Sequence, residues 1–148
     1  MGNKSTALHQ DASSKLSAYI GTLDTLRTIR ETVSQEVRTL VFTSPQNRTP
    51  TQINSLRGHI NQLELVRGQV NANWHQFGKS TLTYYKFLTA KEKKYKGKLN
   101  AGKKTTLEEH FENYEHLAKR YNDLITHTDR VLTEIPAIIR DIRLHLGS

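Results

Sequence analysis

The chain has 148 residues, 35% of them hydrophobic, and its 22 Lys and Arg outnumber 14 Asp and Glu to leave a formal net charge of +8 at pH 7. That length is one domain with enough chain to bury a core. The absence of cysteine excludes disulfides, thiolate chemistry and thiolate-held zinc. No apolar run approaches the roughly 18 residues that span a bilayer, and the N-terminal residues lack the apolar core of a secretory signal. A soluble or peripheral cytoplasmic protein is expected, in which Asn3 and Asn47 stay unglycosylated despite matching the acceptor pattern. With only 7% aromatic residues, the core is expected to be a set of seams between long helices.

Met1-Gly2-Asn3-Lys4-Ser5-Thr6 matches the pattern for N-myristoylation, in which Met1 is removed and Gly2 is acylated. The competing reading is that Met1-Gly2 and Gly147-Ser148 are cloning remnants. Residues 1–12 are expected to form a flexible arm ahead of a single helical domain, 13–148. Helix 1 is expected from about Ser13 to about Val41, with apolar positions Leu16, Tyr19, Leu23, Leu26, Val33, Val37 and Leu40 and a polar interruption at Arg30. The breaker-rich segment Thr43-Ser44-Pro45-Gln46-Asn47-Arg48 follows. Helix 2 opens at Thr49-Pro50-Thr51-Gln52, where Thr49 caps the first free amides, Pro50 loses nothing by lacking an N–H, and Gln52 completes a capping box. Its seam is Ile53, Leu56, Ile60, Leu63, Val70, Trp74 and Phe77, interrupted by Arg67. A shift of 37 positions carries Leu16–Leu40 onto Ile53–Phe77, and Arg30 onto Arg67. Two seams of one rhythm joined by a short breaker predict an antiparallel helical hairpin.

From Lys79 to Lys104 stand nine lysines, Lys79, Lys86, Lys91, Lys93, Lys94, Lys96, Lys98, Lys103 and Lys104, against the single acid Glu92. Their balance of +8 equals the net charge of the whole chain. Either helix 2 continues through this stretch or a new helix starts near Ser80, ending before a lysine-rich loop at about Gly97–Lys104. Helix 3 is expected from Thr105 or Thr106, each with a glutamate three residues on for a capping box. Leu107, Phe111, Tyr114, Tyr121, Ile125, Leu132 and Ile135 form its seam, with Ala118 and Thr128 as smaller members. Pro136 is expected to end or kink it, leaving a short final helix with Ile138, Ile139, Ile142 and Leu146 as a lid. The fold class is therefore all-α, an antiparallel bundle of four to five helices dominated by a long hairpin.

No catalytic constellation emerges. Gly78-Lys79-Ser80-Thr81 looks like the end of a phosphate-binding loop, but that pattern needs glycine where Asn73 stands, and a preceding strand. Glu108, Glu109, Glu112, Glu115, His110 and His116 lack the Glu-x-x-His pairing of metal-binding bundles and read as a solvated acidic face. The seven histidines are scattered, and no serine lies in a nucleophile-elbow context. An enzyme is not expected, nor a cofactor or a metal. Arg30 and Arg67 read as side chains that snorkel outward or pair with glutamate. Trp74 and Phe77 read as core.

The lysine stretch exceeds the ordinary reading of a solvated face, since such a face mixes signs. An acidic partner is expected. Lysine in place of arginine favours a diffuse field over base reading. Anionic lipid headgroups attract such a patch by ~1 kcal/mol per lysine near the surface, and a lone myristoyl chain holds only marginally. Gly2 and the lysines would act together at the inner face of a membrane. If helix 1 runs away from the N-terminus and helix 2 returns, Gly2 and Lys79 emerge at the same end; an unbroken helix 2 carries the lysines beyond it. The alternatives are a module that binds or packages RNA with the same lysines, and a scaffold that self-associates through residual seams.

Three segments resemble the Gag-like N-terminal region of BEL/Pao-type LTR retroelements: Leu26-Arg27-Thr28-Ile29-Arg30 through Thr39-Leu40, Leu56–Val70 leading into Ala72-Asn73-Trp74-His75-Gln76-Phe77, and Glu109-His110-Phe111-Glu112-Asn113-Tyr114. In that family an Arg-rich first arm precedes a Trp/Phe-bearing second arm and a Phe-Glu-x-x-Tyr helix. The resemblance covers about Leu26–Leu124 and implies a structural polyprotein region, matrix-like in its acylation-like start and basic surface, with no catalytic residue and with self-association in a larger assembly.

Overall fold

In the computed structural model the chain is described over residues 2–147, with side-chain surroundings from Lys4 onward. Three helices make up almost all of it: α1 (Gly2–Val41), α2 (Pro50–Lys94) and α3 (Ala101–His145), with a 3-10 turn at Pro45–Asn47 between the first two. No strand occurs among the described residues. The all-α class agrees with the periodicity, but the described residues form three α-helices where four or five were expected.

Each discrepancy has a local cause. Residues 2–12, expected as an arm, are the first turns of α1, because Leu8 and Ala12 carry the apolar rhythm back from Tyr19 and Ala12 is fully buried. Of the two expectations for α2, continuation past Gly78 is the one found, and the helix runs to Lys94 with no new start near Ser80. α3 starts at Ala101, not at Thr105 or Thr106. Its cap is Asn100, whose Oδ1 accepts the Lys103 amide at 2.9 Å, while the Thr105 and Thr106 hydroxyls donate back to the Ala101 and Gly102 carbonyls. α3 also runs through Pro136 to His145, so the lid is no separate helix. A proline inside a helix costs about 3 kcal/mol. Burying Ile135, Ile139 and Ile142, each worth about 1.5–3 kcal/mol, outweighs that loss. The other expected cap is found: the Thr49 amide donates to Gln52 Oε1 at 2.9 Å and the Gln52 amide to Thr49 Oγ1 at 3.2 Å.

The chain packs as two compact units, one of Met1–Tyr19 with Asn73–His127 and one of Ile20–Ala72 with Thr128–Ser148. In the first, Ala12, Phe77, Tyr84, Leu88, Leu107 and Leu117 form the buried core, flanked by Leu8, Leu16, Trp74, Phe111, Tyr114 and Tyr121. The α1 and α2 segments run antiparallel there: Tyr19 meets Trp74 with ring centroids 5.1 Å apart, Ser80 Oγ donates to Asp11 at 2.9 Å, and Lys4 reaches Phe87. In the second unit, Leu26, Val33 and Leu40 of α1, Leu56, Ile60, Leu63, Val66 and Val70 of α2, and Val131, Ile135, Ile139 and Ile142 of α3 are buried. Glu36 accepts hydrogen bonds from Ser55 Oγ and meets His59 Nε2. Arg48 donates to the Thr43 and His145 carbonyls, both at 3.3 Å.

The two arginines that interrupt the seams are exposed. The stripe passes them one residue earlier, through half-buried Ile29 and buried Val66, so the three-and-four rhythm never breaks. Arg30 instead pairs with Glu134 at 3.4 Å. In α3 the stripe takes Leu117 and Val131, and Ile125 is left exposed.

Gly78 has a structural purpose. The Trp74 and Tyr121 rings stack at 4.2 Å and 12°, and a Cβ on Gly78 would stand 3.0 Å from Tyr121 Cε2. The missing side chain lets the tyrosine lie flat along α2. At Gly68, a Cβ would meet nothing within 4 Å. Gly68→Ala is therefore expected to stabilise the chain by about 0.5–1 kcal/mol, the helix-propensity gain. Gly78→Ala should forfeit much of that gain, because Tyr121 must shift by a few tenths of an ångström against Trp74 to admit the new methyl group. Urea unfolding of the two variants side by side measures the difference.

Candidate anionic-surface site

The nine lysines occupy three settings in the first unit. Lys79, Lys86 and Lys93 recur every seven residues along one face of α2, so Lys79 lies about 21 Å from Lys93 at 1.5 Å per residue. Lys91 and Lys94 lie in the last turn of α2, and Lys96 and Lys98 in the turn that follows; Lys103 and Lys104 begin α3. The expected lysine-rich loop at Gly97–Lys104 is thus shorter, spanning Tyr95–Asn100. Gly97 reverses the chain with φ +73°, a left-handed conformation open to glycine. Among the described residues no ion pair involves any of the nine lysines. All are exposed except Lys91, which is half-buried.

Lys91 owes its partial burial to Phe87, whose ring centroid lies 5.2 Å from its Nζ. Lys4 Nζ approaches the same ring, also at 5.2 Å. A third ammonium, that of Lys94, lies 5.2 Å from the Tyr95 ring. Aromatic faces are negative and hold such cations by about 0.5–1 kcal/mol at exposed sites. Lys4 is the functional candidate that sequence reasoning missed. Leu8 and Ala12 were the available signal: continuing the stripe through them makes the first turns helical and brings Lys4 opposite Phe87. Gly2, the candidate acylation site, stands two residues before Lys4 at the start of α1; its side-chain surroundings and Met1 lie outside the described residues.

Helix electrostatics separate the lysines further. Lys91, Lys93 and Lys94 complement the negative C-terminal end of α2. Lys103 and Lys104 stand at the positive N-terminal end of α3, whose first turn contains no acid. Each pays about 0.3–1 kcal/mol there at low ionic strength.

In the same unit, three helices meet at Tyr84. Its hydroxyl lies 2.5 Å from His110 Nδ1 and donates to the His110 carbonyl at 3.1 Å, and the His9 ring is 5.7 Å from the Tyr84 ring. Burial holds the His110 pKa below the usual imidazole range, and nearby His9 acts in the same direction. Burial pushes the Tyr84 hydroxyl up, opposed by a hydrogen bond from Asn113. Neither group has the arrangement of a nucleophile and base, and among the described residues no cluster of three His, Asp or Glu could hold a metal ion. No described helix is long and apolar enough to cross a membrane.

Two measurements follow from these charges. His110 protonates more readily unfolded than folded, so its contribution is complete above about pH 6.5 and is lost as pH falls through the window beneath that value. Thermal melts at pH 5 should fall below those at pH 7, and H110Q should flatten that limb. The double variant K103E/K104E should raise stability by about 1 kcal/mol at low salt, as acids replace bases at a helix N-terminus, and lose the gain in high salt. Comparison with protein-family models, curated proteins and solved structures finds no match to this chain.

Proposed function

We propose that this chain is a Gag- or matrix-like structural module that docks peripherally on an anionic membrane, using the lysine-bearing surface of its first unit and an acyl group on Gly2, and takes part in particle assembly. The reading rests on one observation above the others: the chain's entire excess charge lies in lysines that, among the described residues, pair with no carboxylate. A solvated face meant only for solubility intersperses both signs. Two of these lysines, Lys103 and Lys104, sit where the helix dipole opposes them, so stability does not explain their presence.

The magnitudes are adequate. Each lysine near an anionic leaflet contributes ~1 kcal/mol, so the five from Lys91 to Lys98 supply about 5 kcal/mol. One myristoyl chain binds reversibly, with an association constant of about 10⁴ M⁻¹, and needs a second signal for stable anchoring. Lys4 converging on Lys91 over Phe87 supports a shared location for the two signals, because Gly2 precedes Lys4 by less than one helical turn. Membrane docking through charge and lipid requires no catalytic group, and we assign the chain none.

Sedimentation with phosphatidylserine-containing vesicles tests the reading. Wild type should pellet with them and be released by salt, while K91E/K93E/K94E/K96E/K98E should remain in the supernatant. Unchanged sedimentation of the variant would overturn the proposal. Tight RNA binding with a steep salt slope, unaccompanied by vesicle binding, would make the same lysines a nucleic-acid surface. The intact mass of protein made in eukaryotic cells should carry the myristoyl increment on Gly2.

A further inference from the structure

The turn joining α2 to α3 encloses a cleft of about 670 Å³ within the first unit. Its walls are of two kinds. Tyr95, Leu99, Leu107 and Phe111 present apolar surface, and of these Leu107 is buried and the other three half-buried. Lys93, Lys96 and Lys104 are exposed at its rim. The volume is in the range of small-molecule sites, which combine apolar walls with a few polar groups.

We infer that this cleft takes a single-chain anionic amphiphile, with its acidic headgroup on Lys93, Lys96 and Lys104 and its hydrocarbon chain against Leu99, Leu107 and Phe111. The inference deepens the membrane reading, on whose lysines it rests, by giving the surface one stoichiometric lipid in addition to a diffuse field. Two carboxylates, Glu92 and Glu108, also line the cleft. Residues 91–108 nevertheless hold seven lysines against these two acids, a balance of +5, so the local field still selects an anion. The three rim lysines make no ion pair with either glutamate, so their charges are free for a headgroup. Burying methylene groups on the apolar wall then adds affinity that no headgroup alone can obtain.

Two sources could supply such a molecule: a phospholipid with one chain drawn from a bilayer, or a free fatty amphiphile in solution. Titration calorimetry of the full chain with dodecyl phosphate, kept below its micelle-forming concentration and with helicity followed by circular dichroism, tests the cleft directly. One molecule should bind per chain, whereas inorganic phosphate and dodecanol alone should bind at least tenfold more weakly. K93Q/K96Q/K104Q and, separately, L99S in the turn should each weaken dodecyl phosphate binding at least tenfold while keeping the helical spectrum. If L99S also weakens vesicle binding, the lipid comes from the bilayer; if vesicle binding survives, the cleft takes a soluble amphiphile. Binding without a fixed stoichiometry, or indifferent to L99S, would overturn the cleft. Vesicle binding by wild type without dodecyl phosphate binding would sink the cleft and leave the membrane reading standing. One-to-one dodecyl phosphate binding without vesicle binding would do the reverse.

Discussion

Burial of a narrow apolar stripe along each of three long helices is the interaction on which the rest of the molecule depends. Steps of three and four residues keep the stripe on one side of a helix with 3.6 residues per turn. In the second unit Leu26, Val33 and Leu40 of α1 and Leu56, Leu63 and Val70 of α2 are all nearly inaccessible to water. A stripe so economical leaves most of each helix free of packing duties. That freedom is what allows nine lysines to gather between Lys79 and Lys104 with Glu92 as the single acid among them.

The same stripe explains where strong local signals yielded. Pro136 and Gly78 are both helix-breaking residues by propensity, yet α2 and α3 run through them. Isoleucine burial on either side of Pro136 exceeds the cost of one lost hydrogen bond. At Gly78 the helix gains the aromatic stack of Trp74 on Tyr121, which a larger residue would obstruct. Tertiary packing overrode propensity in both places, and the outcome is three long helices in place of four or five shorter ones.

Charge and packing are linked again at Phe87 and Tyr84. Phe87 holds the ammonium groups of Lys4 and Lys91 near one ring, which fixes where the first turn of α1 lies among the lysines of α2. One turn earlier in α2, Tyr84 meets histidines from both other helices. The His110 imidazole, whose pKa burial lowers, thus belongs to the same unit as the lysines, and protonating it adds positive charge to the unit that already has the excess.

Read as a sequence alone, the chain determines its helical class, the rhythm of its stripes, the capping box at Thr49 and Gln52, and the concentration of charge between Lys79 and Lys104. These follow from local geometry, because helical period and cap chemistry depend only on residues within a turn or two of each other. The tertiary structure alone decided that Ile29 and Val66 carry the stripe past Arg30 and Arg67, that Lys4 joins the lysines, that Tyr121 lies against Gly78, and that the α2–α3 turn encloses a cleft. Each of these depends on which residue of one helix stands opposite which residue of another. That register is set by the sum of many weak apolar contacts across the stripe, and no short segment encodes it.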